Sequence, residues 1–179
     1  GDYNYYTAEL YASLFFSKDT VCGQSNVIKD INLTLRGKKG LDKHKEQLKM
    51  LFFNPGKDIP GIPLMGDKVK VFDKSHSDLY DLSIDIQEYK GKPANLFVLK
   101  IKEDLAFYKK DDVVIDEMTT WFNYDTFEVM ARNYSMSYNA GVYKFNVSMQ
   151  VEIGKMGKYL YPKIIRYDGN WGVLIKDKE

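Results

Sequence analysis

From Val142 to Ile153 the chain alternates without a break. Tyr143, Phe145, Val147, Met149, Val151 and Ile153 fall on one parity, and Lys144, Asn146, Ser148, Gln150 and Glu152 on the other. A period of two is that of a strand with one buried face. The same signal recurs in "DLYDLSIDIQEY", "NLFVLKIK", "DDVVIDEMTTWF", "DTFEVMARNYSMSY", "KYLYPKIIRY" and "WGVLIK", with a shorter run at "VKVF". "GKP", "NAG", "GKMG" and "DGN" separate these runs and predict turns between consecutive antiparallel hairpins.

The earlier part of the chain reads differently. Residues 5–16 alternate at Ala8, Leu10, Ala12, Leu14 and Phe16 and are read as strand, although Ala and Leu also suit a helix. Ile31, Leu33 and Leu35 predict a second strand ending at Gly37. "GLDKHKEQLKMLFF" predicts the main helix, with Leu41, Leu48, Leu51 and Phe52 near one face and "NPG" as its stop. "KDIPGIPLMGDK" predicts an ordered crossing loop, because its prolines deny backbone donors. The expected fold class is α+β and mostly β. Residues 1–179 form a single domain with nine or ten antiparallel strands in a sheet that curves over one helix.

Coverage is the question this architecture raises. A helix of about 14 residues is about 20 Å long, whereas eight or more strands at about 4.8 Å span about 40 Å. One helix does not cover such a face, so the sheet must curl, take a partner or hold a ligand. The apolar positions that would line a ligand are Tyr143, Phe145, Val147 and Met149, with Leu96, Val98, Tyr134 and Met136 on neighbouring strands. Met and Tyr suit a surface that adapts to varied apolar shapes.

Composition narrows the chemistry. Aromatics make up 15% of the chain, with 14 Tyr and 10 Phe, as a sheet-rich protein with half-buried faces requires. The net charge is +1 from 26 basic and 25 acidic residues, which gives no footprint for nucleic acid. Mean hydropathy is −0.42, and no apolar run reaches the length of a transmembrane helix. The single cysteine, Cys22, excludes an internal disulfide framework. The chain opens at Gly1 without a signal peptide, the form that a mature exported fragment takes.

No catalytic, cofactor or metal constellation stands out. His44 and His76 have no partner at ligand spacing, and Cys22 has no histidine close in sequence. Asp111–Asp112 and Asp116–Glu117 are paired acids, but neighbours on a regular strand point to opposite faces. The triplets at Asn32, Asn133 and Asn146 match a glycan-acceptor pattern that arises readily by chance.

The segment "KEQLKMLFFNPGKDIPGIPLMGDKVKVFD" resembles the helix, loop and strand of the LolA/LolB-like superfamily of outer-membrane lipoprotein carriers. "TTWFNYDTFEVMARNYSMSY" through "KYLYPKIIRYDGNWGVLIKDKE" is similar to the paired strands of that fold, so the resemblance spans about residues 40–179. It implies an unclosed half-barrel with the helix on its concave side, a cavity for acyl chains, and a periplasmic or outer-membrane-associated location in a Gram-negative envelope. The carriers also have a lipidation cysteine and more helices, so binding of an apolar ligand carries over rather than lipoprotein transfer.

The expected function is therefore a non-enzymatic cell-envelope protein that binds a hydrophobic or lipid-like small molecule and needs no cofactor. The alternative is a structural or protein-interaction module of a larger envelope protein. A third reading, a small enzyme of the cone-shaped nuclear-transport-factor-like type, requires residues 5–35 to be helical.

Overall fold

The structure, a computed structural model, describes residues 41–48, 51, 55–56, 59, 64–65 and 67–173. The strands expected at 5–16 and 25–37, together with Cys22, lie outside the described residues. Two α-helices are described, α1 (Leu41–Leu48) and the one-turn α2 (Lys74–Ser77), and a 3-10 helix at Phe107–Asp112. Six strands follow: β1 (Tyr80–Tyr89), β2 (Lys92–Ile101), β3 (Ile115–Asn123), β4 (Val129–Asn139), β5 (Tyr143–Met156) and β6 (Tyr159–Val173). They form one antiparallel sheet in the order β1-β2-β3-β4-β5-β6.

The described sheet thus has six strands rather than nine or ten. One expected strand, "VKVF", is instead a chain of turns. Lys68, Lys70 and Asp73 donate their backbone N–H to Met65, Asp67 and Lys70, while Val69, Val71 and Phe72 are buried. The short apolar run is a core plug in compact backbone, a case that periodicity does not separate from a strand.

A second difference is at "DGN". The chain does not turn there, because β6 runs straight through Asp168, Gly169 and Asn170, paired to Ser148, Val147 and Asn146 of β5. Tyr167 and Trp171 flank Gly169 on the same face, and the Trp171 indole donates to the Tyr167 hydroxyl at 2.6 Å. A Cβ at Gly169 would lie 2.8 Å from that hydroxyl. The glycine is strand backbone roofed by two aromatics, not a corner. At Lys90–Gly91 the expected turn is present, with both residues at positive φ (52° and 78°).

Register and burial define the two faces. Tyr143, Phe145, Val147, Met149 and Val151 of β5 are buried. Their partners Tyr138, Met136, Tyr134 and Arg132 on β4 share that face. Met118, Thr120 and Phe122 on β3 continue it, followed by Leu99, Phe97 and Asn95 on β2. This inner face belongs to one hydrophobic cluster with Leu48, Leu51, Ile59, Met65, Val69, Val71 and Phe72. Six strands at about 4.8 Å span only about 24 Å, so the cover required is smaller than a wider sheet would need. Much of it comes from Leu51, Ile59, Met65, Val69, Val71 and Phe72, which follow α1 in sequence. The Tyr134 hydroxyl donates to the Leu51 carbonyl at 2.8 Å, and the Tyr138 hydroxyl to the Leu64 carbonyl.

Arg132 is the charged residue among these inner-face positions. It is 4% exposed, and its Nε donates to the Thr120 hydroxyl at 3.1 Å. Burial lowers its pKa to about 10, which leaves it a cation at neutral pH.

Three β-bulges interrupt the ladder. Each leaves one residue unpaired: Asp116 between the Ile115 and Glu117 pairs, Met130 between the Trp121 and Phe122 pairs, and Lys163 between the Glu152 and Ile153 pairs.

Candidate functional site

The eight apolar positions singled out from the sequence divide between the two faces. Tyr134, Met136, Tyr143, Phe145, Val147 and Met149 come together on the inner face, and each is at most 6% exposed. They pack against the chain's own core. Phe145 packs against Trp171 with ring centroids 4.6 Å apart and planes tilted by 31°, and Tyr138 and Tyr143 lie about this pair. Leu96 and Val98 lie on the opposite, outer face, where they pair with Trp121 and Thr119. They are separated from the other six by the thickness of the sheet. The alternation within β2 was legible, but its phase relative to β5 depends on two intervening strands and the two bulges between them.

Both isolated histidines are accounted for locally. His44 Nδ1 is 3.2 Å from the Gln47 amide oxygen, and His76 Nδ1 is 2.9 Å from the Ser75 hydroxyl. Among the described residues no group of three or more His, Cys, Asp or Glu is placed to hold a metal.

The extra residues of the bulges lead to sites that alternation alone does not reveal. Asp116 lines a cavity of about 560 Å³ at the sheet end where β2 passes to β3 and β4 to β5. Ile101 and Val113 contribute apolar lining, and Ser137, Asn146, Asn170 and Lys144 contribute polar lining; Tyr138 and Phe145 also border the cavity, although their side chains belong to the inner face. Ser137, Asn146 and Asn170 are successive register partners across β4, β5 and β6, so they form one polar row on the outer face. The Ser137 hydroxyl donates to the Asp116 carboxylate at 2.9 Å. Burial raises the Asp116 pKa above the ordinary carboxylate value, and the hydrogen bond from Ser137 acts against that rise. Behind it, burial and then the Asp116 charge hold the Tyr80 phenol well above its usual range. The near wall is pinned by Lys68, which donates to the Asp111 carbonyl at 2.6 Å and lies 3.4 Å from the Asp112 carboxylate.

The bulge also changes the reading of the acid pair. Ile115 pairs with inner-face Met136, and Glu117 already pairs with outer-face Ser135. The Asp116 carboxylate bonds outer-face Ser137, and the Glu117 carboxylate accepts from outer-face Thr119 at 3.2 Å. Asp116 and Glu117 therefore share a face, where a regular strand would have divided them. No residue type announces this bulge in the sequence.

A second cavity, of about 410 Å³, lies at the other sheet end, where the three two-strand hairpins turn. The other two bulge residues, Met130 and Lys163, line it with Tyr89, Lys90, Lys92, Glu128, Glu152 and Lys155. Lys90 donates to Glu152 at 2.6 Å, and Lys155 donates to both Glu128 carboxylate oxygens at 2.8 and 2.9 Å.

The chain matches no protein-family model, no curated protein and no solved structure.

Proposed function

We propose that this chain is a non-enzymatic binding module of the cell envelope that takes a small amphipathic, lipid-like molecule into the Asp116 cavity. The observation that supports the reading is the bulge at Asp116. It gives a cavity of about 560 Å³, within the usual size of small-molecule sites, a half-buried carboxylate with a hydroxyl already on it. The apolar part of such a ligand would lie on Ile101 and Val113, and its polar part on Asp116, Ser137 and Asn146. Affinity would come mainly from apolar area at about 25 cal/mol/Å², with the polar row fixing orientation. The envelope location rests on the resemblance of residues 40–179 to the lipoprotein carriers.

The test is native mass spectrometry with lipid extraction on protein purified without detergent, then titration with an environment-sensitive apolar dye. Asn146 is exposed on the outer face, so Asn146→Trp fills the cavity without entering the core. Retained lipid, or saturable dye binding that this variant abolishes, supports the reading. No binding, or equal binding in the variant, overturns it.

One observation favours the alternative of a structural or interaction module. The aromatic and Met stripe on β4 and β5 is already buried by the chain itself. On that reading the inner face is only a core and a partner protein meets the outer face. A stable dimer mass in light scattering, together with no lipid or dye binding, would select it.

A further inference from the structure

We infer that the cavity at the hairpin end is a second binding site, for a small multivalent anion of the pyrophosphate kind. Four lysines line it, Lys90, Lys92, Lys155 and Lys163, against two carboxylates, Glu128 and Glu152. The carboxylates are already engaged. Glu152 is 8% exposed and accepts from Lys90, while Glu128 accepts from Lys155 through both oxygens and from the Thr126 hydroxyl at 3.2 Å. Each pair holds a long, otherwise mobile ammonium at the cavity wall, which lowers the ordering cost of binding. Lys92 and Lys163 form no ion pair among the described residues, so the wall keeps an excess of two positive charges. Arg166 adds to the positive field felt at Lys90.

The backbone places these charges deliberately. Lys90 is in the β1–β2 turn at φ 52°, Lys92 opens β2 opposite Tyr89, and Lys155 lies just before the β5–β6 turn. Lys163 is the unpaired residue of the β5–β6 bulge, and bulges redirect side chains at sites. Cations from two separate hairpins thus meet on one cavity of about 410 Å³. A site with two uncompensated charges is matched by an anion of charge two or more, and a neutral molecule gains nothing from it. The field is local. The whole chain carries only +1, so no basic stripe of the kind a polynucleotide tracks extends from here.

The experiment is calorimetric titration of the full chain with pyrophosphate at low and high salt, with sulfate as a second anion. The expected result is saturable pyrophosphate binding that exceeds sulfate binding and weakens as salt rises. Lys92→Glu with Lys163→Glu reverses two exposed charges and should weaken binding by at least about tenfold. Lys92→Arg with Lys163→Arg should retain it. Circular dichroism and the melting temperature confirm that each variant folds. No pyrophosphate binding at low salt overturns the proposal, as does binding that the charge-reversed variant keeps. The Asn146→Trp protein serves as a control, because it fills the other cavity and should bind pyrophosphate normally.

Discussion

The Tyr134 hydroxyl donates a 2.8 Å hydrogen bond to the Leu51 carbonyl, 83 residues away in sequence. Both residues are buried to within 2% exposure, so neither end of the bond has ready access to water. Tyr134→Phe keeps the ring and deletes only the donor, leaving a buried carbonyl short of a partner. We expect a loss of about 1–3 kcal/mol of stability, read as a lower urea midpoint at an unchanged slope.

Phe145 and Val98 lie on opposite faces of the sheet, so the same substitution should have unequal effects. Phe145→Asp puts a carboxylate into the aromatic cluster with Trp171 and Tyr143, and should cost more than about 4 kcal/mol. Val98→Asp acts on the half-buried outer face beside Thr119 and should cost less. Paired thermal melts settle the comparison. Equal losses would contradict the assignment of the faces.

Asp116 makes stability depend on pH in the direction opposite to a salt-bridged carboxylate. Its folded pKa is raised by burial, so the folded state holds the proton more tightly than the unfolded chain. Its contribution is fully present below the ordinary carboxylate pKa and declines as pH rises through the folded value. Asp116→Asn should flatten this part of the stability profile. Ser137→Ala removes the bond that opposes the rise and should move the decline to higher pH. Urea melts from pH 3 upward, about the ordinary carboxylate range, measure both shifts.

Gly169 is the position on β6 least tolerant of a methyl group. An added Cβ would lie 2.8 Å from the Tyr167 hydroxyl and 2.9 Å from its ring. Tyr167 is held in place by the bond from Trp171. Gly169→Ala should therefore move Tyr167, break that bond and cost about 1–3 kcal/mol. A changed Trp fluorescence spectrum should accompany the loss, because Trp171 is one partner of the broken bond.

The strands from Tyr80 onward were legible because each has one face in a packed core, and that environment imposes a period of two. Length and connection were harder. "VKVF" and β3 carry similar short apolar runs, and only their partners distinguish a turn-rich plug from a strand. "DGN" has the composition of a turn, yet the long β5 ladder and the Tyr167–Trp171 roof hold it extended. The cavities were not legible at all. Their defining residues, Asp116, Met130 and Lys163, are where the ladder slips by one, and slippage is a property of the strand pair rather than of either sequence. The same slip reversed the geometry expected for Asp116 and Glu117. The inner stripe on β4 and β5 was found correctly as a shared face, but the sequence pattern does not distinguish a lined cavity from a filled core.

The Tyr134–Leu51 bond also sets a clock for synthesis. At about 5–20 residues per second, a ribosome needs roughly 4–17 seconds to make the 83 residues that separate the two. Leu48, Leu51, Met65, Val69 and Val71 are made before β4 and β5, the strands that will bury them. The hairpins themselves close with short delays, since every strand pairs with its immediate successor. The nascent chain therefore passes through an interval in which its apolar cover exists without a sheet beneath it. That interval is when this protein would have most need of a chaperone.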